Sequence, residues 1–104
     1  MVENDAIQII YRELVEEEGI LVQLSLKQGI DQSRVKSLKE AINYLIEFYK
    51  DQNTVPKILA GIFVDLTPCF ERCLELYTEN EQDEILNLRD EIVELGLKLF
   101  EMKK

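Results

Sequence analysis

Apolar residues recur along most of the chain about every 3.5 positions, which is the spacing of one face of an α-helix. The repeat is clearest in two segments, 35–49 and 85–102. It is formed by Val35, Leu38, Ile42, Leu45 and Tyr49 in the first segment and by Ile85, Leu88, Ile92, Leu95, Leu99 and Met102 in the second. We therefore predict two long amphipathic helices, each with one apolar face.

The same spacing predicts a helix near the start of the chain, from Asn4 or Asp5 to just before Gly29, because glycine commonly follows a helix. Its apolar seam consists of Ile7, Ile10, Tyr11, Leu14, Leu21 and Leu24. Residues 20–26 also alternate as a β-strand would, but no other segment offers a strand to pair with. We expect a helix there, with Gly19 as the point where it would break, since glycine is unfavourable inside helices.

A third helical path runs from Ile58 to Tyr77 and contains Pro68. Inside a continuous helix, Pro68 would remove one hydrogen bond and press against the carbonyl group of Val64, at a cost of about 3 kcal/mol. Thr67 is a good residue to cap a new helix, and proline is favoured in the first helical position. We predict that the third helix is bent or split near Thr67-Pro68.

The start of the last helix and the short connections together indicate the architecture. Thr78 is followed three residues later by Glu81, which is the spacing of a capping box. Four helices of about 20 residues with short connections pack as antiparallel neighbours. The predicted fold is all-α, an antiparallel up-down four-helix bundle, with residues 1–104 as a single helical domain.

The chain is acidic, with 21 Asp and Glu residues against 12 Lys and Arg residues and a formal net charge of −9. It has no stripe of basic residues interleaved with aromatic ones, so binding to nucleic acid or to an anionic membrane is disfavoured. A basic protein partner would instead be steered toward this surface. The first residues are acidic and the longest apolar run, 58–64, is too short to span a bilayer, so we expect a cytoplasmic protein.

The two cysteines, Cys69 and Cys73, lie one helical turn apart. Their Cβ atoms would be about 6 Å apart on a helix, whereas a disulfide prefers about 3.5 to 4.5 Å. A helix that began at Pro68 would place Cys69 where backbone N–H groups stabilise a thiolate. The acidic neighbours Glu71 and Glu75 and the absence of histidine favour the other interpretation, in which both thiols only pack in the helix.

The chain contains no histidine, which excludes the usual Ser-His and Cys-His nucleophiles and the usual zinc sites. The carboxylates of Glu13, Glu16 and Glu17 remain as candidate ligands for Mg²⁺. The stretch EEEGILVQL, residues 16–24, resembles the E-E-x-G-D-x-L helix of MazG-like nucleotide pyrophosphohydrolases. This resemblance implies nucleotide hydrolysis by a helical bundle. Ile20 stands where that family has its aspartate, so no residue roles are carried over.

Three of the predicted helices carry more apolar residues than one buried face needs. These residues either pack within the bundle or form a second buried surface against another chain. We predict the second outcome, a partner or dimer interface. The candidate interface residues are Tyr44, Phe48, Tyr49, Phe63, Leu86, Val93, Leu97 and Phe100.

The sequence therefore favours a binding protein over an enzyme. We expect a small acidic helical protein–protein interaction module of the regulator, adaptor, chaperone or inhibitor/immunity type. It would bind a protein partner, pair with a second copy of itself as a homodimer, and need no metal or cofactor. The alternative is a Mg²⁺-dependent, MazG-like nucleotide hydrolase that uses Glu13, Glu16 and Glu17.

Overall fold

A computed structural model describes residues 1–101 and shows a chain built from helices. In this range the helices are α1 (Glu3–Leu14), α2 (Ile20–Ser25), α3 (Gln32–Tyr49), α4 (Lys57–Cys73) and α5 (Glu79–Leu99), with a 3₁₀ turn at Leu74–Leu76. No strand occurs between residues 1 and 101. The predicted all-α bundle is confirmed. Met102, the end of the predicted apolar repeat, lies outside the described residues.

The helices pack in a ring whose order differs from their order in the chain. α1 packs against α3, α3 against α5 and α5 against α4, while α4 closes the ring against α2 and α1. The main partners of α3 are thus α1 and α5, so α3 and α4 lie across the bundle from each other. The connection 50–56 can make this crossing because seven residues span up to about 23 Å when extended. None of the helices between residues 1 and 101 is both long and apolar enough to cross a bilayer.

The first predicted helix is two helices, and Gly19 is the reason. α1 ends at Leu14, and Gly19 immediately precedes α2. A Cβ atom at Gly19 would lie 2.0 Å from the carbonyl oxygen of Arg12 and 2.7 Å from that of Glu13. Only glycine allows the chain to return so close to the end of α1. The expected break at Gly19 is confirmed, and so is the helical interpretation of the segment that follows it.

The end of α2 differs from the prediction. The N–H of Lys27 donates to the carbonyl of Leu24 (3.0 Å), and that of Gln28 donates to the carbonyl of Gln23 (2.9 Å). These bonds form a Schellman motif, whose left-handed residue is Lys27 with φ 61°. The prediction that the helix continues to just before Gly29 is wrong, because α2 ends at Ser25. Gly29, with φ 79°, supplies a second left-handed residue two positions later.

α4 runs without interruption through Pro68, so no new helix begins there and Thr67 caps nothing. The predicted split does not occur, and a bend at Thr67-Pro68 stays a prediction. Both Pro68 and Val64 are exposed. The hydrogen bond that Pro68 removes is therefore on the solvent side, where water can bind the carbonyl of Val64 and reduce the cost.

Local caps define the starts of α3 and α5. Asp31 accepts hydrogen bonds from the N–H groups of Ser33 (3.0 Å) and Arg34 (3.4 Å). The predicted capping box is confirmed: the N–H of Thr78 donates to Glu81 Oε1 (2.9 Å), and the N–H of Glu81 donates to Thr78 Oγ1 (3.3 Å). These contacts satisfy backbone donors that have no partner inside the helix.

Candidate functional site

A groove of about 670 Å³ lies between α2 and α4. One wall is formed by the end of α1 and by α2, including Leu21 and Val22, and the other wall is formed by α4. The residues that α4 contributes include Ile58, Gly61, Ile62, Asp65, Cys69 and Arg72. Apart from the adjacent pair Gly61 and Ile62 they recur every three or four positions, so they share one helical face. Most of the lining is apolar, and Asp65 and Arg72 are its charged residues.

The groove is open to solvent, and its rim is apolar. Ile58 is 49% exposed, Val15 is 43% exposed and Leu76 is 40% exposed, and all three line the groove. Gly61 leaves the backbone of α4 accessible, since apart from its chain neighbours and the adjacent backbone of α4 no heavy atom lies within 4 Å of the place where its Cβ would be. The groove therefore presents apolar side chains and an open stretch of helix backbone to solvent.

A smaller depression of about 370 Å³ continues the groove along α1. The two share Ile58, and the depression also contains Ile7, Tyr11 and the charged residues Arg12 and Glu16. Tyr11 is exposed and Ile7 is half-buried. The apolar surface thus extends from α2 across Ile58 to the first turns of α1.

A buried ion pair holds the end of α1 beside the groove. The carboxylate of Glu13 is only 1% exposed, and Arg34 of α3 places Nη1 at 3.2 Å from its Oε1 and 3.1 Å from its Oε2. Arg12 adds a contact of 3.3 Å from Nε to Oε2. The charge of Glu13 is thereby compensated where water is excluded. Gly19 packs against the carbonyl groups of Arg12 and Glu13 in the last turn of α1. The ion pair of Glu13 therefore also fixes where α2 begins.

Tyr77 fixes the other end of α2. Its hydroxyl donates to the carbonyl of Leu24 (2.7 Å) and accepts from the N–H of Gly29 (3.2 Å). Tyr77 follows the 3₁₀ turn after α4, so these bonds connect the two walls of the groove. A helix as short as α2 has little stability of its own. Its position therefore depends on these contacts at both ends.

The two thiols occupy different environments. Cys73 is buried, its Sγ donates to the carbonyl of Cys69 (3.3 Å), and burial raises the pKa of its thiol. This agrees with the packing interpretation for Cys73. Cys69 is half-buried in the groove, and Arg72 places Nη2 at 3.2 Å from its Sγ. Because α4 runs through Pro68, Cys69 lies inside a helix and not in its first turn, so free backbone N–H groups do not stabilise its thiolate as the split helix would have done.

The candidate interface residues are spread over three helices, and none of them lines the groove. Tyr49 is buried, and its hydroxyl donates to the carboxylate of Glu3. Phe63 covers Gly96, where a Cβ would lie 2.7 Å from the ring. Both side chains therefore serve the packing of the bundle. The exposed members are Phe48 and Leu97, and the half-buried ones are Tyr44, Leu86, Val93 and Phe100.

The three candidate carboxylates are not brought together. Glu13 is buried in its ion pairs, whereas Glu16 and Glu17 are exposed in the turn between α1 and α2. Between residues 1 and 101, no group of three or more acidic or cysteine side chains is arranged to hold a metal ion. The hydrolase alternative has no supporting geometry in this part of the chain.

No protein-family model, curated protein or solved structure matches the chain. The resemblance to MazG-like hydrolases gains no support from these comparisons.

Proposed function

We propose that this chain is a protein–protein interaction module, and that the groove between α2 and α4 is its main binding surface. The observation that carries the proposal is the open apolar groove of about 670 Å³ with Ile58, Val15 and Leu76 exposed on its rim. Binding at such a groove is favourable because a partner removes its apolar side chains from water. A helix that presents apolar residues at every third or fourth position matches an open groove of this kind.

The shape of the groove favours a protein over a small molecule. Sites for small ligands enclose most of the ligand's surface. Here the rim is open, and the apolar surface continues past Ile58 toward Tyr11. A helical segment can cover both the groove and this extension, whereas a small ligand would leave most of the rim exposed.

The acidity of the chain contributes to partner binding at a longer range than the groove does. A net charge of −9 attracts basic proteins before contact and raises the rate of encounter. This attraction concerns the exposed acidic surface as a whole. Regulators, adaptors, chaperones and inhibitors all work by such binding, and the proposal covers that class of function.

Site-specific photo-cross-linking tests the proposal. A photoreactive phenylalanine analogue replaces Ile58 in the groove, and the same analogue replaces Val64 as the control. Val64 lies on the same helix, is 75% exposed and does not line the groove. After irradiation of the producing cells, we expect a covalent protein adduct from position 58 and little or none from position 64. Equal adducts from both positions, or none from position 58, would overturn the proposal.

A further inference from the structure

The two charged residues of the groove form a defined pair of contact points. Asp65 and Arg72 are seven positions apart on α4, so they lie on one face about 10.5 Å apart along the helix axis. Both are exposed. Among residues 1–101, Asp65 has no ion-pair partner, and the polar contact of Arg72 is with Cys69 Sγ. Each charge is therefore open to a group on another chain.

The local charge of the groove differs from that of the whole chain. One acid and one base line it, although the chain carries a net charge of −9. A uniformly basic helix would face Arg72 and be repelled there. The occupant that fits places a base opposite Asp65 and an acid opposite Arg72, at the same separation, with apolar residues around them.

α4 has this pattern itself. If two copies of α4 pack antiparallel about a two-fold axis, Asp65 of each copy can meet Arg72 of the second copy. The same axis brings Leu76 of each copy onto Gly61 of the second copy, because both residue pairs have the same midpoint on the chain. Leu76 is exposed, and Gly61 has free space beside its backbone. Charge and shape are thus self-complementary about one axis.

We infer that the groove binds α4 of a second copy of this chain and forms a two-fold symmetric dimer. This inference depends on the proposed function, since it names the partner of the same groove. Burial of the exposed Leu76 of each copy in the groove of the second copy supplies the affinity. The two ion pairs between Asp65 and Arg72 determine the register more than the strength of binding. Repulsion between the acidic copies is screened beyond about 8 Å at physiological salt.

Reciprocal charge substitutions test the inference. Asp65→Arg and Arg72→Asp are prepared separately, and the dissociation constant of each is measured by light scattering after size exclusion. We expect a wild-type dimer and a dissociation constant at least about tenfold higher for each variant, because like charges then face each other. An equal mixture of the two variants has opposite charges at every contact. It is expected to form a heterodimer about as tight as the wild-type dimer.

A matched control separates local pairing from net charge. Glu94→Arg changes the net charge as much as Asp65→Arg does, but at an exposed position on α5 outside the groove. It should leave dimerisation nearly unchanged. A monomeric wild type would overturn the inference, as would variants and a mixture that all associate like the wild type. If the wild type is monomeric while position 58 cross-links to a different protein, the proposed function stands and the inference fails.

A thiol cross-linker tests the register independently of any folding defect. The axis passes close to Cys69, which is half-buried in the groove, so the two copies of Cys69 would lie near each other. A short bismaleimide should join two wild-type chains and should not join Cys69→Ala chains. A stable dimer that this reagent fails to join would overturn the proposed register.

Discussion

Arg34 of α3 places Nη1 at 3.2 Å and 3.1 Å from the two carboxylate oxygens of Glu13 at the end of α1. The carboxylate is buried, whereas the Arg34 side chain is 33% exposed. Arg34→Leu would leave the charge of Glu13 with Arg12 alone, and we expect a loss of about 2 kcal/mol in the free energy of unfolding. Urea unfolding measures this loss.

The double variant Glu13→Leu/Arg34→Leu provides the control for this prediction. Replacing both partners removes the uncompensated buried charge, so the double variant should be more stable than Arg34→Leu alone. Glu13→Leu is measured alone as well. If the loss of unfolding free energy in the double variant equals the sum of the losses in Glu13→Leu and Arg34→Leu, the ion pair does not fix the end of α1.

Gly19→Ala tests the turn between α1 and α2. The new Cβ would lie 2.0 Å from the carbonyl oxygen of Arg12, so the backbone must move. We expect a loss of at least about 2 kcal/mol in the free energy of unfolding, measured by urea unfolding. Gly61→Ala is the matched control, because its Cβ meets open space inside a helix, and it should stabilise the monomer by up to about 1 kcal/mol. Equal effects of the two substitutions would contradict the close approach at Gly19.

Tyr77→Phe tests the contact between the two walls of the groove. It removes the donor to the carbonyl of Leu24 and the acceptor for the N–H of Gly29. We expect a loss of about 1 to 2 kcal/mol in the free energy of unfolding. The amide of Gly29 should also exchange its hydrogen faster with solvent. Tyr11→Phe is the control, since within residues 1–101 the Tyr11 hydroxyl has no hydrogen-bond partner. Unchanged exchange at Gly29 would show that Tyr77 does not hold this loop.

The two helix caps make stability depend on acidic pH. A hydrogen bond from the Ser33 hydroxyl lowers the pKa of Asp31 below its ordinary value of 3.8. The N–H of Thr78 lowers the pKa of Glu81 below its ordinary value of 4.5. The unfolded chain therefore binds protons at higher pH than the folded chain does. The stability that each cap contributes is complete above the ordinary pKa of its carboxyl group. It is lost as the pH falls through the lowered pKa.

Asp31→Asn combined with Glu81→Gln tests this pH dependence. Both substituted side chains keep an oxygen acceptor and no longer titrate. As the pH falls below the ordinary pKa values of 4.5 and 3.8, the unfolding midpoint of the wild type should fall more steeply than that of the double variant. Asp83→Asn, at an exposed position on α5, serves as the control and should follow the wild type. If the unfolding midpoints of the wild type and the double variant fall in parallel with pH, the caps are not the source of the pH dependence.

Local features were predictable from the sequence. The apolar repeats define α3 and α5, the spacing of Thr78 and Glu81 defines the start of α5, and Gly19 marks the break. Each depends on residues within a few positions of one another. Two errors were also local: the structure has Lys27 as the left-handed residue after α2, and it accommodates Pro68 on the solvent side of α4.

The groove and its supports were not predictable, because they depend on which helices pack together. A single apolar seam that runs through Gly19 from Leu14 to Leu21 puts Glu17 on the seam between them. In the structure the chain turns after Leu14, so the helical phase restarts, Glu17 is exposed and Glu13 is the buried acid. The available signal for the groove was the segment 58–64, which is apolar on every side, but its partner α2 is too short to show a helical repeat.

The central claim is that the groove between α2 and α4 binds a protein chain. Gly61→Gln fills the groove from a position with free space, and Val64→Gln places the same side chain on the outer face of α4. Native mass spectrometry of both variants and the wild type, purified gently from their own cells, reads the bound chains directly. We predict that wild type and Val64→Gln carry a second protein chain and that Gly61→Gln is a monomer. Equal binding by all three proteins, or no bound chain in the wild type, would contradict the claim.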